Sequence, residues 1–239
     1  GGGGGGGVGV GGGVGVGVGV VGIDIDGFKI LTDPWLTDGE YYGSWSHYPP
    51  FEIDRNIDEI NSYDAIFISH IHPDHCSDDT MKIINKNIPV YIHKFHSPFL
   101  KNKLNKFGFQ VIELENGKKF EIAKNIKLNI IAADNCNPEL CYKLTGCADL
   151  NATDGSQQID SLSIIESKKN VLVNVNDCPW RLAQSTMEEI NKQYNKIDVL
   201  LCGYQNASPY PQCFENLDTL NKEKVGKKVS KECMDKALN

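Results

Sequence analysis

Hydrophobic positions fall into short apolar runs separated by turn residues, the pattern of strands interleaved with helices. Ile23-Asp24-Ile25 and Phe28-Lys29-Ile30-Leu31 flank Asp26-Gly27, and such a dipeptide between alternating runs predicts a tight hairpin. Pro34 stops the second strand and leaves Asp33 at its tip. Asp64-Ala65-Ile66-Phe67-Ile68-Ser69 reads as a buried strand running into a polar burst. Ser77 is placed as an N-cap, with Asp78 and Asp79 in the first turn of a helix reaching about Lys86. A strand over 89–92 follows. Ser97-Pro98 then opens a helix whose apolar face is Leu100, Leu104 and Phe107, closed by Gly108. Short strands are expected over 109–114, 119–122 and 126–132, with a turn at Asn116-Gly117. A second hairpin joins 161–166 to 171–175 and ends in Asn176-Asp177-Cys178-Pro179. Residues 185–188 read as a capping box before a helix carrying Met187, Ile190 and Tyr194. Residues 197–202 form a last buried strand, and the tail from Leu217 is helical and basic.

Three stretches break the pattern. Residues 1–22 contain only Gly and Val, with nothing larger than Val to bury. Val14, Val16, Val18 and Val20 nevertheless alternate at the strand period, as do Val8 and Val10 before a triple glycine that can turn a hairpin. The tract reads as a stand-in for unidentified residues of the first strands, with true low-complexity sequence as the alternative. Residues 37–52 are an aromatic loop that either packs on the domain or walls a substrate pocket. Residues 134–160 are polar and aperiodic, a length of loop that is usually functional or disordered.

A chain of 239 residues has ample material for a core, and its net charge of −7 offers no basic field to nucleic acid. No run is long enough to span a membrane and no charged start resembles a signal peptide, so the cytosol is the default compartment. The eight cysteines contain no Cys-x-x-Cys pair. They read as free thiols, with a cysteine-ligated second metal near Cys136 as an alternative.

The chemistry concentrates in His70-Ile71-His72-Pro73-Asp74-His75, which holds three of the chain's six histidines. His70 and His72, two apart on an extended backbone, face the same side. Imidazole and carboxylate together suit zinc, iron or manganese. One or two divalent ions are the expected cofactor.

The intact H-x-H-x-D-H motif, after an apolar strand and before a capped helix, resembles the metallo-β-lactamase superfamily. Leu31-Thr32-Asp33-Pro34-Trp35-Leu36-Thr37, Asn174-Val175-Asn176-Asp177-Cys178 and Ala207-Ser208-Pro209-Tyr210-Pro211 are similar to segments of the CMP-N-acetylneuraminate hydroxylase branch. The resemblance runs from about Ile23 onward and implies an α/β fold, a four-layered αββα sandwich formed by residues 23–239 together with the tract. It implies metal ligands at His70 and His72 for one ion, Asp74 and His75 for a second, and Asp177 as the bridging carboxylate. Two departures stand out. No histidine follows His96, so Asn137, near Asp134 and Cys136, takes the place of the family's middle histidine, and the last histidine has no counterpart. The site is then mononuclear, or completed by other donors, or the chain lacks its natural C-terminus; both ends are expected to be incomplete. His47, His93 and His96 read as surface or packing residues. Expected substrate contacts are Asp33, Trp35, Tyr41, Trp45 and Asn137.

The leading expectation is a metal-dependent hydrolase acting on an ester, lactone or phosphodiester of a small, sugar-derived substrate, with Asp74 orienting the hydroxide or carrying a proton. The alternatives are an iron-dependent hydroxylase of a sugar nucleotide, needing a separate electron donor since no Rieske ligand pairs occur, and a non-catalytic metabolite-binding relative.

Overall fold

Asp26 and Gly27 both take positive φ, 52° and 85°, the mirror-image turn that matches the twist of the strands it joins. It folds β2 (Val21–Ile25) onto β3 (Phe28–Thr32) with Ile25 opposite Phe28. The computed structural model describes residues 8–11, 20–47, 53–145, 159–202 and 218–238. Within them, β1 (Val8–Gly11) precedes this hairpin. After it come α1 (Glu40–Gly43), a single turn with left-handed backbone at Tyr41 and Tyr42, then α2 (Ile53–Ile60), β4 (Ala65–Phe67), α3 (Asp78–Ile83), β5 (Val90–His93), α4 (Phe99–Lys106), β6 (Val111–Leu114), β7 (Phe120–Ala123) and β8 (Ile126–Ala132). The chain continues through α5 (Pro138–Thr145), β9 (Ser161–Glu166), β10 (Val171–Asn176), α6 (Trp180–Gln193), β11 (Val199–Cys202) and α7 (Thr219–Leu238).

The strands form two sheets, ordered β1-β2-β3-β4-β5-β6 and β11-β10-β9-β8-β7. Alternation of side chains along each strand sorts the apolar residues into three buried clusters. Ile30, Phe67, Leu128, Ile130, Ile165 and Leu172 meet between the sheets. Their neighbours Leu31, Ile66 and Ile68 face outward from the first sheet and pack with Met81 of α3 and Leu100 and Leu104 of α4. Ile164 and Val173 face outward from the second and pack with Leu182, Ala183 and Ile190 of α6. Helix, sheet, sheet, helix: the expected four layers are present.

Several expected elements shift. Helix α6 starts at Trp180 with Pro179 as its N-cap, so Ser185 is interior rather than a cap. Burial of Leu182 and Ala183 draws the earlier turn into the helix. Helices α2 and α5 were not read from the sequence. Among its described side chains, α5 packs only Leu140 and Cys141 inward, and Asn137 caps it. Strand β11, expected to be buried, is half-exposed with Leu200 38% accessible. It pairs only with β10 among the described residues.

In the Gly/Val tract, β1 pairs with β2, Val8 opposite Ile25; residues 1–7 and 12–19, and with them Val14, Val16 and Val18 of the expected hairpin, lie outside the described residues. At Gly22 a Cβ would sit 2.1 Å from the Tyr63 hydroxyl, so glycine suits this position. The aromatic residues 48–52, the segment 207–211 and Asn239 also lie outside the described residues, as does 146–158 of the long loop.

Candidate metal centre

Strands β3 and β4 run parallel, so their carboxyl ends open side by side, where ligands of α/β sheets gather. Asp33 follows β3 with φ 43°, and its Oδ1 accepts the Ser69 N–H at 2.7 Å and the Ser69 hydroxyl at 3.0 Å. Ser69 Oγ lies 2.9 Å from His70 Nδ1. With its proton given to Asp33, Oγ accepts from Nδ1–H, which leaves the His70 Nε2 lone pair facing outward. That Nε2 lies 2.9 Å from His72 Nδ1.

The second sheet supplies the other half. The β10 ladder shifts register between Asn174 and Asn176, and such an irregularity re-aims the residues beyond it. Asp177 follows directly, with Oδ2 3.0 Å from His75 Nε2. Asp74 Oδ2 is 3.4 Å from the same nitrogen, and Asp160, just before β9, has Oδ1 3.6 Å from His70 Nε2. Ligand atoms of His70, His75 and Asp177 all lie within 4.8 Å of one another among the described residues.

Burial would lower the pKa of His75, yet hydrogen bonds it donates to Asp177, Asp33 and Asp74 push it up to about 12. Burial and the neighbouring His75 charge lower His70 to about 4. Burial, then the charge of Asp177, raises Asp160 to about 7. Burial would raise Asp74 as well, but hydrogen bonds from His75 and Tyr41 bring it down to about 2. The carboxylates of Asp33, Asp74, Asp160 and Asp177 converge here on the imidazoles of His70 and His75. A donor set of this kind fits divalent cations.

The expected substrate contacts divide. Tyr41 reaches the centre, its hydroxyl donating to Asp74 Oδ1 at 2.7 Å. Trp45 is half-buried and packs on Trp35 with ring centroids 6.1 Å apart. Asp33 is fully buried beneath His75, its Oδ2 accepting from Asn176 Nδ2 and lying 3.4 Å from His75 Nδ1. At 0% exposure it has no surface to offer a substrate, and its contacts are with Ser69, Asn176 and His75. Trp35 is 3% exposed in the core, its Nε1–H donating to Thr37 O. It is core, not pocket wall. Asn137 is exposed and its Oδ1 accepts the Leu140 N–H at 3.0 Å, so it is a helix cap. His93 is buried against Phe95 and Asn116, and His47 against Trp35 and Asp38. Sequence reasoning did not single out Asp160, which the structure brings within 3.6 Å of His70. The signal was present: like Asp33 and Asp177, it stands at a strand tip, directly before Ser161-Leu162.

A family model described as the Beta-lactamase superfamily domain matches residues 29–208. The chain belongs to the metallo-β-lactamase superfamily. A Rieske 2Fe-2S iron-sulfur protein, so named, of Mycobacterium tuberculosis (strain ATCC 25618 / H37Rv) is 24% identical over 87% of this chain and 37% of its own length. Cytidine monophosphate-N-acetylneuraminic acid hydroxylase of Danio rerio is 25% identical over 78% of this chain and 28% of that protein. The chain thus spans about a third of the length of these relatives. Among solved structures, CmlA, a diiron beta-hydroxylase from Streptomyces venezuelae, superposes with TM-score 0.53 at 15% identity, covering 90% of this chain and 41% of that one. An isothiocyanate hydrolase from Delia radicum gut bacteria gives 0.52 at 14% identity, covering 72% and 64%. Both likenesses concern the fold. No helix among the described residues is long and apolar enough to cross a membrane.

Proposed function

We propose that this chain is the metal-bearing domain of an iron-dependent hydroxylase. The observation that carries the reading is Asp160, whose carboxylate lies 3.6 Å from His70 Nε2, an oxygen donor in a chain with no histidine after His96. Oxygen-rich sets with few imidazoles suit iron or manganese better than zinc. In this reading His70, His72 and Asp160 would hold one ion and Asp74 and His75 a second, with Asp177 available to both. Iron, when bound, supplies the one-electron chemistry that lets dioxygen oxidise a C–H bond. The chain's own residues position it: Asp33 and Ser69 fix the His70 tautomer, and Asp33 also lies against His75. The side chain of Asp177 is 42% exposed, so a carboxylate that would serve both ions stands at the open side, from which substrate would approach. Asp74, expected to carry a proton, has Oδ1 engaged by Tyr41 and Oδ2 turned to His75, which supports a ligand role. Hydroxylation consumes two electrons, and an iron–sulfur donor is the partner this reading implies. The mycobacterial relatives are named for such a centre, and the zebrafish relative for a cytidine sugar nucleotide. A small anionic sugar nucleotide is the substrate class.

Hydrolysis is the second reading, because three imidazoles at one site also suit zinc, which brings bound water to a pKa of about 7. Metal analysis after anaerobic purification, followed by oxygen-electrode and hydrolysis assays, separates the two. Iron with oxygen uptake on adding a chemical reductant supports the hydroxylase. Zinc with oxygen-independent cleavage of a phosphodiester or lactone overturns it.

A further inference from the structure

Residues 39–43 form an unusual turn. Gly39, Tyr41, Tyr42 and Gly43 all take positive φ, 104°, 51°, 62° and 83°. Glycine adopts this region freely, whereas two consecutive tyrosines there are uncommon and cost free energy. The turn is closed by Gly39 N–H to Trp45 O at 2.9 Å and Trp45 N–H to Glu40 O at 3.1 Å. Tyr41 lies against Trp45 with ring centroids 4.8 Å apart, and Trp45 rests on the buried Trp35. Its geometry sends the two tyrosines opposite ways: Tyr42 is fully exposed, while the Tyr41 hydroxyl bonds to Asp74.

The two oxygens of Asp74 are thereby made unequal. Oδ1 is held by Tyr41, and Oδ2 is the oxygen that faces His75 Nε2. A carboxylate free to rotate would present either oxygen; one pinned by a phenol presents a single oxygen in a fixed direction. We infer that Tyr41 is a positioning residue for the ion held by Asp74 and His75, and that the left-handed turn of residues 39–43 exists to deliver it. The inference rests on the metal-binding reading above, though not on which metal or reaction follows. The Tyr41 ring packs against Trp45, which packs on Trp35, so protein packing sets the direction of the hydroxyl, the kind of support that preorganises a ligand.

The test is Tyr41→Phe, which keeps the ring on Trp45 and removes only the hydroxyl. Metal-free protein is titrated with Mn2+, with bound metal counted by equilibrium dialysis, and Co2+ absorption reports the geometry of the occupied sites. The expected result is a 10- to 100-fold weaker affinity for one of two equivalents and an altered cobalt spectrum. The other equivalent and the melting curve of the metal-free protein should stay close to wild type. Tyr42→Phe, at the exposed neighbour, should bind as wild type does. Unchanged binding of both equivalents by Tyr41→Phe overturns the inference while leaving the metal-enzyme reading intact. Equal weakening by both variants also overturns it, as a general loosening of the turn. A wild-type protein that binds no Mn2+ or Co2+ overturns both.

Discussion

His72 is exposed, so its replacement by Ala opens no cavity. His72→Ala should reduce bound metal while changing metal-free stability by no more than about 0.5 kcal/mol; loss of folding would instead mark a structural metal. His93 offers a separate test away from the ligands. Burial lowers its pKa to about 4, below the ordinary 6.5 of an unfolded histidine. Between those values the unfolded chain binds more protons, so the stabilising effect is full above about pH 6.5 and is lost as pH falls toward 4. Urea unfolding at pH 7 and 4.5 should show wild type losing about 2 kcal/mol more than His93→Gln, whose amide can still meet Asn116. Equal losses would contradict the assignment. At this scale the sequence was uneven in what it revealed. The cluster from His70 to His75 was legible because it is contiguous. The pairing of His70 with Asp160 was not, because it joins residues ninety apart through the meeting of two sheets. Asp33 and Trp35 were visible as notable residues, but their burial, which excludes substrate contact, depends on packing.

Helix α3 shows how an element supports the site. Its N-cap, Ser77, accepts the Thr80 N–H at 3.2 Å and lies 3.1 Å from the Thr37 hydroxyl. Thr80 Oγ1 in turn accepts the Leu36 N–H at 2.8 Å. The helix therefore anchors the segment that leads to Tyr41. Ser77→Ala should cost about 1 kcal/mol for the lost cap, somewhat more because the freed N–H is buried, read as a lower urea midpoint. No change would mean that water replaces the cap. The cap of α3, the Asp26-Gly27 turn and the second hairpin were all readable, since each is set by residues within a few positions. The start of α6 was not, because burial of Leu182 and Ala183 against the second sheet outweighs the local Ser185 signal. Nor was α5, which among its described side chains packs only Leu140 and Cys141 inward.

For the molecule as a whole, the centre sits on the seam between the sheets. His70 and His75 come from the first, Asp160 and Asp177 from the second, and any ion held there ties the two together. Binding should then raise stability in proportion to its occupancy, by about 2.7 kcal/mol at a hundredfold excess over Kd. The four-layer order itself was legible through the family motif and the alternation of Ile66, Phe67 and Ile68. The exposed edge at β11 was not, because an apolar run reads alike in the middle of a sheet and at its border. The most direct test is the metal content of protein reconstituted anaerobically with Fe2+ and freed of excess ion, compared with Asp177→Asn. Two irons per chain in wild type, falling to one or fewer in the variant with a lower melting temperature, is the result expected of a bridging carboxylate. Wild-type protein that retains no iron, or a variant that retains two, would contradict the account.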